Sequence, residues 1–290
     1  MTNLRTFIHL FRVPQWSKNA VVFAALVFGN PEVDHALWKS VAAFIAFCAV
    51  SSAGYIVNDV IDIKHDRVHP VKKNRPIASG AVSPQTGKLI AAGLMVVGLA
   101  IAFSVNPVLL LVMAGYALLT LAYTLRLKQI VLIDAFVIAI GFLLRAVAGA
   151  AAVEVPVSAW LMLCAMLLAL FLAFGKRRSE LVRLQDVATR HRSVLASYSL
   201  PLLDQLLVIT AASTIMAYSF YSFTAESVPQ NGAMLLTVPL VTYAVFRYLL
   251  LVMRRGEGGA PEILLWRDKS LLAAVAIWGA MVLIIMFAVN

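Results

Sequence analysis

Four oxygen-bearing side chains recur at helical spacing in Asn58-Asp59-Val-Ile-Asp62-Ile-Lys-His-Asp66. On a continuous helix Asn58, Asp62 and Asp66, four apart, stack along one face, and Asp59 lies on its edge three residues before Asp62. Three carboxylates held so close repel, so the strip is stable chiefly when a cation sits among them. Oxygen-only ligands favour a hard ion, and Mg2+ held by a few carboxylates completes its shell with water and substrate phosphates. The competing reading is a solvated helix end whose carboxylates pair with Lys64 and Arg67. Against it, Asn58 and Asp59 still lie on an apolar run, where ionisable residues are expensive and usually functional.

A rigid basic turn follows directly, His69-Pro70-Val-Lys72-Lys73-Asn74-Arg75-Pro76-Ile-Ala-Ser79-Gly80. Cations beside a metal-binding acidic face suit a diphosphate, since the metal bridges some oxygens while arginine takes others by a bidentate fork. Lys72 and Lys73 are equally ordinary cations of a membrane face, whereas Arg75 is constrained between Asn74 and Pro76. His65 and His69 flank the strip and read as solvated loop histidines. Much later stands Gly175-Lys176-Arg177-Arg178-Ser179-Glu180-Leu181, with Asp186 beyond it. Three consecutive cations and one acid make a poor metal site and a good anion cradle.

The elements that must position these groups are membrane helices. Of 290 residues, 62% are apolar or aromatic and 13% charged, and the mean hydropathy is +0.89. A soluble domain carries about 25% charged residues, so the composition excludes one. The apolar runs place nine spans near 19–35, 39–61, 87–105, 107–125, 131–151, 157–175, 202–223, 232–253 and 270–288. That makes an all-α integral membrane protein, a single nine-helix bundle over residues 1–290, preceded by a short interfacial amphipathic helix near 2–12. No cleaved signal peptide is expected, and the two cysteines, Cys48 and Cys164, each lie in an apolar run, which argues against a disulfide framework or a zinc site.

The net charge of +10 points to no nucleic-acid partner once the cations are placed relative to a bilayer. They gather in the N-terminal segment (Arg5, Arg12, Lys18) and in the loops after spans 2, 4, 6 and 8. Only Lys39, Arg145 and Arg247 of the 24 Lys and Arg residues fall elsewhere. The positive-inside rule therefore puts the N-terminus and the even-numbered loops in the cytoplasm of a cell whose inner, plasma membrane holds the chain. The opposite face has short connections near Asn30-Pro31, Asn106-Pro107, Glu154 to Pro156 and Glu226 to Asn231. All the dense polar sequence lies in two cytoplasmic loops, 62–88 and 176–201. Arg145, deep in span 5, suits a buried partner such as Glu154 or a backbone carbonyl, while Arg247 suits anionic headgroups.

Asn58-Asp59-x-x-Asp62-x-x-x-Asp66, followed by Asn74-Arg75-Pro76-Ile-x-Ser79-Gly80, resembles the first aspartate-rich motif of the UbiA superfamily of intramembrane prenyltransferases. The resemblance implies that Asn58, Asp59, Asp62 and Asp66 hold Mg2+ against a substrate diphosphate, with Arg75 as a phosphate ligand. The superfamily's usual second aspartate-rich motif is missing after span 6. Gln15-Trp16-x-Lys18-Asn19, Tyr123, Lys128, Asp134, Leu144-Arg145-Ala-x-Ala-Gly149 and Gly175-Lys176-Arg177-Arg178-x-Glu180-Leu181 are instead similar to the polyprenyl-phosphate 5-phosphoribosyltransferase branch. Val13-Pro14 departs from the branch, which often has a proline followed by a basic residue. That branch implies transfer of 5-phosphoribosyl from phosphoribosyl pyrophosphate to a decaprenyl-like polyprenyl phosphate, a step toward arabinan precursors. By the same resemblance Asp59, Asp62, Arg75, Lys128 and Lys176 act in catalysis. Lys18, Asn19, Lys73, Arg75, Tyr123, Lys128, Asp134, Lys176, Arg177, Arg178 and Glu180 bind substrate.

Two other readings stand beside this one. A prenyltransferase would move a polyprenyl group from its diphosphate to an aromatic or other small acceptor. The Lys176 to Arg178 segment, in place of a second D-x-x-x-D, speaks against it. A transporter of anionic lipids or metabolites would place ionisable groups near the bilayer midplane, whereas nearly all the charge here sits at span ends.

Overall fold

Ser83-Pro84, Asn106-Pro107 and Ser199-Leu200-Pro201 each set a side-chain oxygen just ahead of a proline, a combination that favours a helix start. Each opens a helix in the structure, a computed structural model that describes residues 4–29, 33–184, 195 and 197–288. Ser83 Oγ accepts from Thr86 N at 3.1 Å, Asn106 Oδ1 from Leu109 N at 2.7 Å and Ser199 Oγ from Leu202 N at 3.3 Å. The chain runs α1 (Leu4–Leu10), a 3-10 helix (Val13–Phe23), α2 (Ala24–Phe28), α3 (Val33–Ile61), α4 (Ile63–Val68) and a 3-10 turn (Lys72–Asn74). There follow α5 (Pro84–Val105), α6 (Pro107–Leu125), a 3-10 turn (Leu127–Gln129), α7 (Ile133–Val153) and α8 (Ala159–Leu184). After them come α9 (Leu200–Thr224), a 3-10 turn (Ala233–Thr237), α10 (Val238–Arg255), α11 (Pro261–Arg267) and α12 (Lys269–Ala288).

Among the described residues eight helices are long and apolar enough to cross a membrane, so the all-helical, multi-pass fold holds. They stand where the second to ninth spans are expected. The first expected span, 19–35, takes another form: eleven residues of 3-10 helix followed by the five-residue α2. At about 2.0 Å rise per 3-10 residue and 1.5 Å per α residue, that run measures roughly 30 Å end to end. It begins six residues earlier than expected because Pro14 sits in its first turn, where a fixed φ favours a helix start. The short helix expected near 2–12 is present as α1. Residues 2–3, the Asn30-Pro31 connection, Asp186, Arg190 and Arg192 lie outside the described residues.

Contacts divide the chain into two compact units that interleave in sequence. The first comprises Met1–Leu26, Pro31–Lys128 and Leu144–Val155. Its core sets Phe47 against Tyr116, rings 4.9 Å apart, among Val22, Ala43, Leu109, Met113 and Ala148, and a second cluster joins Leu10, Ile56, Ile77 and Val82. Small residues at helix contacts let backbones approach closely, the usual device where lipid removes the hydrophobic drive between helices. The second unit comprises Val27–Asn30, Gln129–Leu143 and Pro156–Asn290. Phe171, Phe174, Leu203, Leu207, Tyr248, Val252 and Leu264 form its core.

Candidate active site

The acidic strip belongs to the first unit. An unbroken helix through Asn58 to Asp66 is expected, but α3 stops at Ile61, and Asp62 adopts φ −87° and ψ 7° before α4 begins. Those angles lie in the sparsely used bridge region, where many active-site residues are found. Backbone bonds from Asp62 N to Asn58 O and from Asp66 N to Asp62 O, both 2.9 Å, carry the chain through the bend. Asp59 and Asp66 are buried, at 2% and 3% exposure, and Asn58 and Asp62 are half-buried.

Each aspartate meets a cation. Arg75 Nη1 donates to Asp59 Oδ1 at 3.0 Å and to Asp66 Oδ2 at 2.6 Å. Lys128 Nζ lies 2.7 and 2.8 Å from the two oxygens of Asp62. Arg12 Nη2 donates to Asp59 Oδ1 as well. Lys64 and Arg67, the partners of the competing reading, do not serve: Lys64 is exposed, and Arg67 Nε donates to Ala78 O at 3.2 Å. Arg75 is positioned by the turn that ends in it, its N–H bonded to Lys72 O. His69 Nδ1 accepts from Val71 N and Lys72 N at 3.1 and 3.2 Å, so this histidine shapes the basic turn. Three aspartates and three cations thus make one neutral cluster.

Arg12 arrives on an arm fastened to α3. Trp16 Nε1 donates to Ser52 Oγ at 3.1 Å, and Ser52 Oγ donates to Phe11 O at 2.8 Å. Asn19, expected to bind substrate, is buried and committed to this fastening. Its Nδ2 donates to Ser51 Oγ at 3.2 Å and Cys48 Sγ at 3.4 Å, and its Oδ1 accepts from Arg145 Nε at 2.8 Å. Arg145 also donates to Tyr116 OH at 2.9 Å and lies over the Tyr116 and Phe47 rings. The expectation of a Glu154 partner is corrected, since Glu154 takes Lys39 at 2.7 Å. The arm lies so close to α7 that a Cβ on Gly149 would fall 2.0 Å from Val22 O.

A separate cluster belongs to the second unit. The Lys176 to Arg178 segment, expected in a loop, is helical, because α8 runs nine residues past the expected span end. Arg177 is 1% exposed and Asp134 fully buried. Arg177 Nε donates to Asp134 Oδ2 at 2.6 Å, and its Nη1 donates to Glu180 Oε2 at 2.7 Å. Tyr198 OH donates to Asp134 Oδ1 at 2.8 Å and accepts from Leu132 N at 2.9 Å. Burial, then the Asp134 hydrogen bond, pushes the Tyr198 phenol above its usual range. Arg178 donates to Asp204 and to Val252 O at 2.9 Å. Two of the three cations expected to cradle an anion thus meet protein acceptors, as Arg75 and Lys128 also do, and Lys176 is half-buried. Arg247, expected at headgroups, pairs with Asp268 at 2.7 Å.

Lys18 and Tyr123 are half-buried and Lys73 is exposed. Sequence reasoning missed Arg12 beside the strip and Tyr198 beside Asp134. Arg12 is 47 residues from Asp59 and Tyr198 is 64 from Asp134, and no helical spacing rule connects such pairs.

Among the described residues no three His, Cys, Asp or Glu side chains form a metal cage. The donor chemistry of the strip nevertheless fits a hard divalent ion: three carboxylates and an amide, each carboxylate now neutralised by a basic side chain that a phosphate could claim.

A multi-pass helical chain with an aspartate strip matched to cations at its helix ends is the architecture of an intramembrane protein that handles anions. Residues 20–267 match the UbiA prenyltransferase family, and the chain belongs to that family. It is 33% identical over 280 residues to the decaprenyl-phosphate phosphoribosyltransferase of Mycobacterium tuberculosis, covering 95% of this chain and 92% of that one. The protein of the same name in Corynebacterium glutamicum is 32% identical over 278 residues, covering 93% and 83%. A UbiA homologue from Archaeoglobus fulgidus, solved with GPP and Mg2+, shares the fold with a TM-score of 0.74 at 19% identity, over 97% of this chain and 99% of that one.

Proposed function

We propose that this protein is a membrane pentosyltransferase that moves 5-phosphoribosyl from phosphoribosyl pyrophosphate to a polyprenyl phosphate, releasing pyrophosphate. The observation that carries the reading is the neutral cluster of Asp59, Asp62 and Asp66 with Arg12, Arg75 and Lys128. It divides into carboxylates for a divalent ion and cations for a diphosphate. The choice of phosphoribosyl as the group transferred is supported by near-full-length similarity to the mycobacterial and corynebacterial enzymes.

Bound Mg2+ would be held by Asp59, Asp62 and Asp66 with Asn58, and would supply Lewis-acid stabilisation of the leaving pyrophosphate. Arg75 and Lys128 exchange their carboxylate partners for diphosphate oxygens and hold the donor in line as the bond to ribose C1 breaks. An oxygen of the lipid phosphate attacks the opposite face of C1, with inversion. The residues need supply no strong general base, because a phosphate monoester is already anionic at neutral pH. In the first unit Lys18, Lys73 and Tyr123 are secondary substrate contacts; in the second, Lys176 is a phosphate ligand with Glu180 beside it. The buried Asp134–Arg177 pair and the Arg178–Asp204 pair keep the α8 end in place. The charge distribution supports a plasma-membrane enzyme with its N-terminus and basic segments in the cytoplasm.

The test is incubation of purified protein with Mg2+, polyprenyl phosphate and ribose-labelled phosphoribosyl pyrophosphate, following label into the organic phase. Mg2+-dependent transfer is expected. Transfer of a prenyl group from a polyprenyl diphosphate to an aromatic acid instead would replace this reading with ordinary prenyl transfer.

A further inference from the structure

We infer that Arg12 is a phosphate ligand that rests on Asp59 until a diphosphate arrives; of the reading above, the inference uses only the premise that a diphosphate binds the acidic strip. Asp59 Oδ1 accepts from two guanidinium groups, Arg12 Nη2 and Arg75 Nη1. Arg75 also serves Asp66. Asp59, 2% exposed, thus takes a full guanidinium from Arg12 besides the Arg75 that it shares with Asp66.

The place of Arg12 does not depend on Asp59. The preceding residue is pinned through Phe11 O to Ser52, and the guanidinium lies 4.6 Å from the Tyr55 ring centre. Its backbone is left-handed, φ 52° and ψ 46°, a conformation that L residues, unlike achiral glycine, adopt at a cost and that clusters at ligand clamps. A glycine would remove that cost and the guanidinium with it. The side chain is 21% exposed, so donors of its five-donor fork remain within reach of a solvent-borne anion.

When a divalent ion engages Asp59, Arg12 loses an acceptor and keeps its position. A cation left unpaired in such a place is costly, and the planar fork matches phosphate oxygens. The exchange keeps opposite charges paired: the ion takes the carboxylate and the diphosphate takes the arginine.

Calorimetric titration of the full-length protein in detergent with inorganic pyrophosphate and Mg2+ tests this. Arg12→Gly keeps the backbone free to adopt φ 52°, and Arg12→Gln keeps side-chain length without charge. Both are expected to weaken Mg2+-dependent pyrophosphate binding tenfold or more, with Arg12→Lys recovering part of the loss and Arg5→Ala unchanged. Thermal unfolding checks that each variant is folded. Parent-like affinity in Arg12→Gly or Arg12→Gln overturns the inference, as does a parent protein that binds no pyrophosphate. Arg12-dependent pyrophosphate binding by a parent that transfers no phosphoribosyl would remove the phosphoribosyl reading and leave the inference standing.

Discussion

At the scale of single residues, the strip works through matched charge, so removing one member has an asymmetric effect. Asp62→Asn leaves Lys128 without its carboxylate and takes one oxygen ligand from the strip. Turnover is expected to fall by about 10²–10³ while the unfolding midpoint moves only a few degrees. A fully active Asp62→Asn enzyme would remove Asp62 from the reaction. Tyr198 belongs to the scaffold, and its loss reads out as stability. Tyr198→Phe strips Asp134 of a donor, at roughly 1–3 kcal/mol. The Tyr198 phenol is raised in the folded state, so its stabilisation is complete below the unfolded value of about 10 and is lost as pH rises through the folded value. Above pH of about 10 the parent's melting temperature should drop more steeply with pH than that of Tyr198→Phe; parallel curves would contradict the assignment. Asp59, Asp62, Asp66 and Arg75 were legible because helical spacing and a proline-bounded turn are local patterns, whereas Lys128, 66 residues from Asp62, came only with the family resemblance. Arg12 was not, since its backbone angle and its contact with Asp59 arise only when the arm docks. The commitment of Asn19 and Arg177 to protein acceptors was hidden for the same reason: a motif names residue types and says nothing of what satisfies them.

At the scale of elements, the 3-10 arm is the part that composition misplaces. Apolar residues from 19 onward announce a span, while the turn chemistry of Val13-Pro14 starts it sooner. The eight later spans were legible because each is a long apolar run, ended in all but the last by proline, glycine or charge. The bend at Asp62 was not, because nothing in Val-Ile-Asp-Ile breaks a helix. The arm's position depends on Gly149, where the added carbon of Gly149→Ala would overlap Val22 O. That substitution is expected to cost about 1–3 kcal/mol and to weaken pyrophosphate binding, because Arg12 rides on the same arm. Normal stability in Gly149→Ala would show that α7 and the arm can separate freely. Gly258 has a similar part in the second unit, where a Cβ would lie 2.5 Å from Gly175 O at the start of the basic segment.

At the scale of the whole molecule, orientation decides which side of the membrane carries the chemistry. With Cys48 and Cys164 replaced by serine, Arg126→Cys in intact cells should resist a membrane-impermeant maleimide and react after lysis, whereas Lys39→Cys should react from outside. The opposite pattern would invert the orientation and place the phosphate chemistry on the outer face. One turn also constrains how the chain enters lipid at all. Asn106 alone separates α5 from α6: its N–H closes the first helix on Ala102 O, its side-chain oxygen caps the second, and its amide nitrogen holds Ala151 O at 2.7 Å. With a single residue at the turn and no slack to either side, α5 and α6 must cross as a hairpin that inserts in one event. A single-residue insertion beside Asn106 would then register first as a failure of biogenesis, seen as degraded chain, before any assay of a purified enzyme could detect it.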